Sequence, residues 1–139
     1  GKLQAVSGKY KQLKNRYIMN EYSDFNEKYR NRTKKFAVSI ILFYSKYCKQ
    51  SDELRVIGKQ LLRSGTSIAA NFRAFTRGRS EAEKYSKLCI VVEETDETQF
   101  WLELIEEANL QNSTVTSELK NEAEELIKIF TATKSKIKR

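Results

Sequence analysis

The stretch Ser64-Gly65-Thr66-Ser67-Ile68-Ala69-Ala70-Asn71-Phe72-Arg73 decides how this chain is read. It is crowded with small and hydroxyl residues. Yet it lies inside a longer apolar stripe of helical period: Leu54, Ile57, Leu61, Gly65, Ile68, Ala69, Phe72 and Phe75. Small side chains let a neighbouring helix approach closely, so the stretch reads as a tight mid-helix contact and not as a loop. Ser64, Ser67, Asn71 and Ala74 share another face, expected to serve a close crossing with hydroxyls bonded to backbone. Ser67 has no histidine or matched lysine to activate it, so a nucleophile is not expected there.

The stripe predicts a helix from an N-cap near Ser51, with Asp52 and Glu53 favouring the first-turn dipole, to an end near Gly78. Three further helices are predicted around it. The first runs from about Asp24 to Lys49. It carries Phe25, Tyr29, Arg32, Phe36, Ile40, Phe43 and Tyr47 on one stripe and Ala37, Ile41, Tyr44 and Cys48 on a second. A two-faced helix is expected to bury both faces. The third opens at Ser80-Glu81-Ala82-Glu83, a capping-box pattern, and runs to about Asn109 with Leu88, Val91, Thr95, Thr98, Leu102 and Ile105 inward. The fourth follows Thr116 and runs to about Thr133, with Leu119, Ala123, Leu126, Ile127 and Phe130 on one face.

The chain has no proline and only 5 glycines, which favours long helices. The expected fold is all-α: an antiparallel up-down-up-down four-helix bundle over residues 24–133. Residues 1–23 form an N-terminal extension, read as an extra helix or as disorder, with Leu3, Val6, Tyr10, Leu13 and Tyr17 on a seam interrupted by Gly8. Residues 134–139 form a basic tail. The first residue is Gly1 and not Met, as expected of a trimmed or cloned end. No stretch has a secretory pattern or the roughly 18–20 apolar residues of a membrane span, so a cytoplasmic protein is expected, with no membrane contact.

Histidine is absent and the cysteines, Cys48 and Cys89, are far apart. No His-based triad, common zinc site or phosphate-binding glycine loop follows from this composition. No cofactor, metal or catalytic residue is expected, and the two cysteines read as buried reduced thiols. The run Glu93, Glu94, Asp96, Glu97 reads as a solvated or interface face and not as acid–base machinery.

Charge carries more information. The net charge is +8, but residues 1–50 hold 12 Lys/Arg against 3 Asp/Glu, while residues 93–139 hold 6 against 11. Such asymmetry suits either a polyanion partner or pairing between copies. Arg63, Thr66, Ala70, Arg73 and Arg77 recur at 3, 4, 3 and 4 on one helix face, with Arg79 just beyond. Two readings stay open. The guanidiniums, with Lys35 and Lys46, contact nucleic-acid phosphates, or they pair with Glu94 and Glu97 beside Trp101. Ile41, Tyr44, Trp101 and Leu104, with those two glutamates, are the candidate subunit interface.

Two strings carry a family resemblance. One is Lys35-Phe36-Ala37-Val38-x-Ile40 followed by Gly58-Lys59-Gln60-Leu61-Leu62-Arg63-Ser64-Gly65-Thr66-Ser67-Ile68-Ala69-Ala70-Asn71. The other is Lys87-Leu88-Cys89-Ile90 followed by Glu94-Thr95-Asp96-Glu97-Thr98-Gln99-Phe100-Trp101-Leu102-Glu103-Leu104. They resemble the four-helix-bundle protein family, also called the 23S ribosomal RNA intervening-sequence protein family, over about residues 25–133. The resemblance implies an antiparallel bundle in a ring-forming homo-oligomer, with five copies the leading count. It also implies a bacterial source. A related branch, the accessory proteins of diversity-generating retroelements, binds nucleic acid and a reverse transcriptase, and no catalytic site comes with the family. Two departures touch the candidate contact faces. Arg73-Ala74-Phe75 replaces a common Arg-Glu-Ala, and Glu93-Glu94 replaces a usual Lys-Glu. The implied partners are further copies of the chain, RNA or DNA, or another protein.

Overall fold

The computed structural model describes the backbone of residues 2–137; within the first helix it describes the side chains of residues 8–14, 21 and 23 onward. Four helices account for nearly all of it: α1 Lys2–Tyr47, α2 Asp52–Thr76, α3 Glu81–Glu107 and α4 Thr114–Lys136. No strand occurs among the described residues. The side chains of Leu3, Val6, Tyr17 and Tyr22 and the tail residues Lys138 and Arg139 lie outside that description.

The helix ends follow local chemistry. Ser51 caps α2, its Oγ accepting from the Leu54 N–H at 3.1 Å. Ser80 caps α3 in the same way through the Glu83 N–H, also at 3.1 Å. The reciprocal half of the expected capping box is displaced by one residue, because Glu83 Oε2 accepts from the Arg79 N–H at 3.4 Å. At the far end of α3, Asn109 adopts φ 53°, a left-handed conformation that asparagine tolerates. The Leu110 N–H then reaches the Ile105 carbonyl at 3.0 Å and the Asn109 N–H reaches Glu106 at 3.1 Å, closing a Schellman cap.

Two boundaries differ from the sequence reading. α1 does not begin at Asp24 but runs unbroken from Lys2. Gly8 alone costs a helix only about 1 kcal/mol, too little to break it without a proline or a turn signal. α4 begins at Thr114, two residues before Thr116, with Ser113 at the cap position but making no side-chain cap bond.

Each helix packs on the next, and α4 returns to α1; among the described residues the α1 and α3 backbones do not approach closely, nor do those of α2 and α4, which touch through core side chains such as Phe72 and Phe130. The core is mostly apolar, with a few buried hydroxyls. Leu54, Leu61, Ile68, Phe72, Leu88 and Leu102 are wholly buried, as are Ile105, Leu126 and Phe130. Burial of one such side chain contributes about 1.5–3 kcal/mol. Phe72 anchors an aromatic group, 5.2 Å from Phe130 and 6.4 Å from Tyr29 between ring centres. The small residues of α2 serve two neighbours at once. A Cβ on Gly58 would meet Cys48 Cβ at 2.7 Å and one on Gly65 would meet Ile40 at 3.1 Å, so α1 rests directly on the α2 backbone. Ser64 faces the other way, its Oγ 2.9 Å from Thr98 Oγ1 of α3 in the core.

Candidate functional site

The α2 row is exposed at Arg63, Arg73 and Arg77, and the structure separates these three by partner. Arg63 is committed to α3. Its guanidinium donates to Glu94 at 3.3 Å and makes a second, shorter bond to Glu97. Glu97 Oε1 also accepts from the Trp101 indole N–H at 3.2 Å. The Arg63 hydrogen bond, helped by Trp101, holds the Glu97 carboxyl below the ordinary glutamate value, and Glu97 in turn raises Arg63. Within the single chain, Arg63 is thus engaged by Glu94 and Glu97 of α3.

Arg73 and Arg77 are different: neither makes an ion pair among the described residues. Their neighbours on α1 extend the stripe Ala37, Ile41, Tyr44, Cys48. Cys48 and Tyr44 lie against Gly58 of α2, so this stripe is the edge of α1 turned toward α2. Continued backward at the same 3 and 4 spacing, it reaches Lys34 and Arg30, both exposed and without ion pairs among the described residues. Tyr29 stacks edge-on against Phe72, which brings Arg30 and Arg73, the next residue in each helix, to the same level. By helix register, Arg30, Lys34, Arg73 and Arg77 thus fall on one α1–α2 edge as a basic patch. Arg30 and Lys34 were missed in the sequence; extending the second α1 stripe by two steps would have found them.

The remaining predicted cations lie elsewhere. Lys35 lines a groove of about 410 Å³ between α1 and α4, with Phe36, Ser39, Glu118 and Leu119. Lys46 stands 5.3 Å from the Tyr47 ring centre. Arg79 is exposed in the α2–α3 connection. The α1–α4 seam carries an interaction that periodicity did not reveal. Arg32, placed in the core stripe by its spacing, is half-buried and grips Glu122 through Nε at 2.9 Å and Nη2 at 2.6 Å, then Glu125 at 2.9 Å. Its pKa is raised, first by the Glu122 bond.

The candidate interface residues also fall on two separate faces. Tyr44 is half-buried and Ile41 is 44% exposed, beside Val38 and Leu42 at 47% and 63%. This second α1 face is thus only partly covered, contrary to the expectation that α1 buries both. Across the molecule, Trp101 and Leu104 are half-buried, next to exposed Phe100; Phe100 and Trp101 stack at 5.1 Å. Val56 of α2 is 64% exposed. Cys48 is buried, and burial pushes its thiol up to about 11, whereas Cys89 is only half-buried and not enclosed as expected. No group of three Cys, Asp or Glu could hold a metal ion among the described residues. No helix there is long and apolar enough to cross a membrane.

Residues 26–132 match the family described as 23S rRNA-intervening sequence protein. The chain belongs to that family. A crystal structure of a protein of unknown function from the S23 ribosomal protein family of Bacteroides thetaiotaomicron is similar, with 30% identity and a TM-score of 0.70. The match covers 79% of this chain and 97% of that one. No curated protein matches the chain.

Proposed function

We propose that this member of the 23S rRNA-intervening sequence protein family is a non-enzymatic, cytoplasmic, bacterial helical bundle that self-associates and binds nucleic acid. The opposed contact registers support an antiparallel up-down-up-down arrangement: Cys48 and then Ile40 of α1 meet Gly58 and then Gly65 of α2. The observation that carries nucleic-acid binding is the patch of Arg30, Lys34, Arg73 and Arg77, four exposed cations with no acid partner among the described residues. Such a patch contacts phosphates without reading bases.

Self-association joins the face of Val38, Ile41 and Leu42 to that of Val56, Trp101 and Leu104. These two faces are unlike, and Ile41 of the first and Trp101 of the second lie on helices whose backbones do not approach each other, so one copy's first face meets the next copy's second. Contacts of that kind close into rings when the rotation permits, which suits the expected five-membered ring.

Titration with random single-stranded RNA across salt tests the binding. Arg73→Ala with Arg77→Ala should weaken affinity and flatten the salt slope by about 0.7 for each phosphate no longer neutralised. Unchanged affinity and slope would overturn the assignment. The second reading, a protein-interaction scaffold, is favoured by one observation: Arg63 already spends its charge on Glu94 and Glu97. It predicts no RNA binding below about 1 µM at near-physiological salt.

A further inference from the structure

The described residues in the first half of α1 are not packed against the rest of their own chain. Every described residue from Gly8 to Asp24 is exposed, Tyr10 by 69% and Leu13 by 64%, and the aromatic core begins only at Phe25. At 1.5 Å per residue, the segment before Phe25 projects about 35 Å, as far as α2 or α3 is long. It is a helix with an apolar seam in its sequence, Leu3, Val6, Tyr10, Leu13 and Tyr17, and residues 1–20 hold five Lys or Arg and no acid.

The opposite character appears on α3. Residues 92–107 hold seven Asp or Glu and no Lys or Arg. Glu94, Glu97 and Glu106 take Arg63 and Lys120. Glu93, Asp96, Glu103 and Glu107 make no ion pair among the described residues, although the last two lie close enough to help raise Lys120. These four share one strip with Phe100, at spacings of 3, 4, 3 and 4, and Phe100 is 48% exposed. The strip stands roughly a third of a turn from Trp101, and so is separate from the face used above. It and the arm's seam each span 15 residues, about 21 Å from end to end.

We propose that the basic N-terminal arm of one chain docks along this acidic strip of α3 on a second copy, with Tyr10 and Leu13 covering Phe100. The arm does not lie along its own α3, because it continues α1 without a break and the α1 and α3 backbones do not approach closely. Two arms do not pair with each other, since each would face only like charge. Opposite charge on the two strips sets partner and register, and the apolar seam supplies the burial. The inference rests on the self-association proposed above and adds a second contact to it.

A charge swap in the full-length chain tests it. The probe is the chain itself, its mass followed against concentration by sedimentation, with circular dichroism to check the fold. Lys9→Glu, Lys11→Glu and Lys14→Glu together should weaken self-association at least tenfold, and so should Glu93→Lys, Asp96→Lys and Glu107→Lys. All six residues are exposed, so the fold should survive either set. Combining the sets should restore assembly to near the parent level. Single sets without effect, or a combination as weak as the worse single set, would overturn the inference. So would an arm variant that loses RNA affinity while assembling normally, because the arm would then serve nucleic acid. A parent chain that is monomeric throughout would instead overturn the self-association beneath it.

Discussion

The α1–α2 and α1–α4 seams share a helix but are held by different chemistry. Against α2, α1 sits on bare backbone: Gly58 admits Cys48 and Tyr44, and Gly65 admits Ile40. Against α4, the packing is sparser, and Arg32 bridges it to Glu122 and Glu125 beside an open groove. The first seam depends on the absence of atoms, the second on the presence of charge. Close packing tolerates no added volume, whereas a part-exposed ion pair is weakened by water. The α1–α2 seam should therefore respond far more strongly to substitution.

The largest effect is expected at Gly58→Val. Its Cβ would lie 2.7 Å from Cys48 Cβ, an atom that moves only with the backbone. Chemical denaturation should show a loss of about 2–3 kcal/mol, the upper part of the range for overpacking, despite the helix propensity gained. A neutral or stabilising result would mean that the seam is not tight. The intermediate effect is Arg32→Ala. The side chains of Arg32 and Glu122 are 25% and 32% exposed, so after screening the loss should be about 1–2 kcal/mol. Arg32→Lys should recover only part of it, because an ammonium cannot bond both Glu122 oxygens in the same fork. A loss equal to that at Gly58 would erase the contrast.

The smallest effect is expected at Arg63→Ala, below about 1 kcal/mol near neutral pH. Its signature lies in acid. Glu97 is held below its ordinary value of 4.5 in the folded chain, so its contribution is present above that value and fades as pH falls through the lower folded one. The parent should lose stability over that interval, and Arg63→Ala should lose less of it. Parallel pH profiles for the two proteins would remove the Arg63–Glu97 bond from the account.

Helices were legible where the signal is local. Ser51 and Ser80 cap where their sequences place them, and the Gly65 stripe points inward, because capping and periodicity involve residues within a turn or two of each other. The sequence reading places the start of α1 at Asp24, because the seam from Leu3 to Tyr17, interrupted by Gly8, reads as a separate extension and not as the same helix. The site was only half legible. Spacing put Arg63, Arg73 and Arg77 on one face, but whether a guanidinium is free depends on acids from another helix, 31 and 34 residues away for Arg63. Lys35 and Arg73 looked alike in sequence yet belong to different edges of the bundle. Arg32 read as a core position because periodicity reports direction and not the partner 90 residues away.

The central claim is that the two partly exposed apolar faces, Val38–Ile41–Leu42 on α1 and Val56–Trp101–Leu104 across α2 and α3, meet between copies. Sedimentation equilibrium of the 16.2 kDa chain and its Trp101→Lys and Ile41→Lys variants tests this most directly. The account predicts a parent mass that is a multiple of 16.2 kDa and variants shifted toward the single chain while still folded. A parent that remains at 16.2 kDa up to its highest soluble concentration would contradict it.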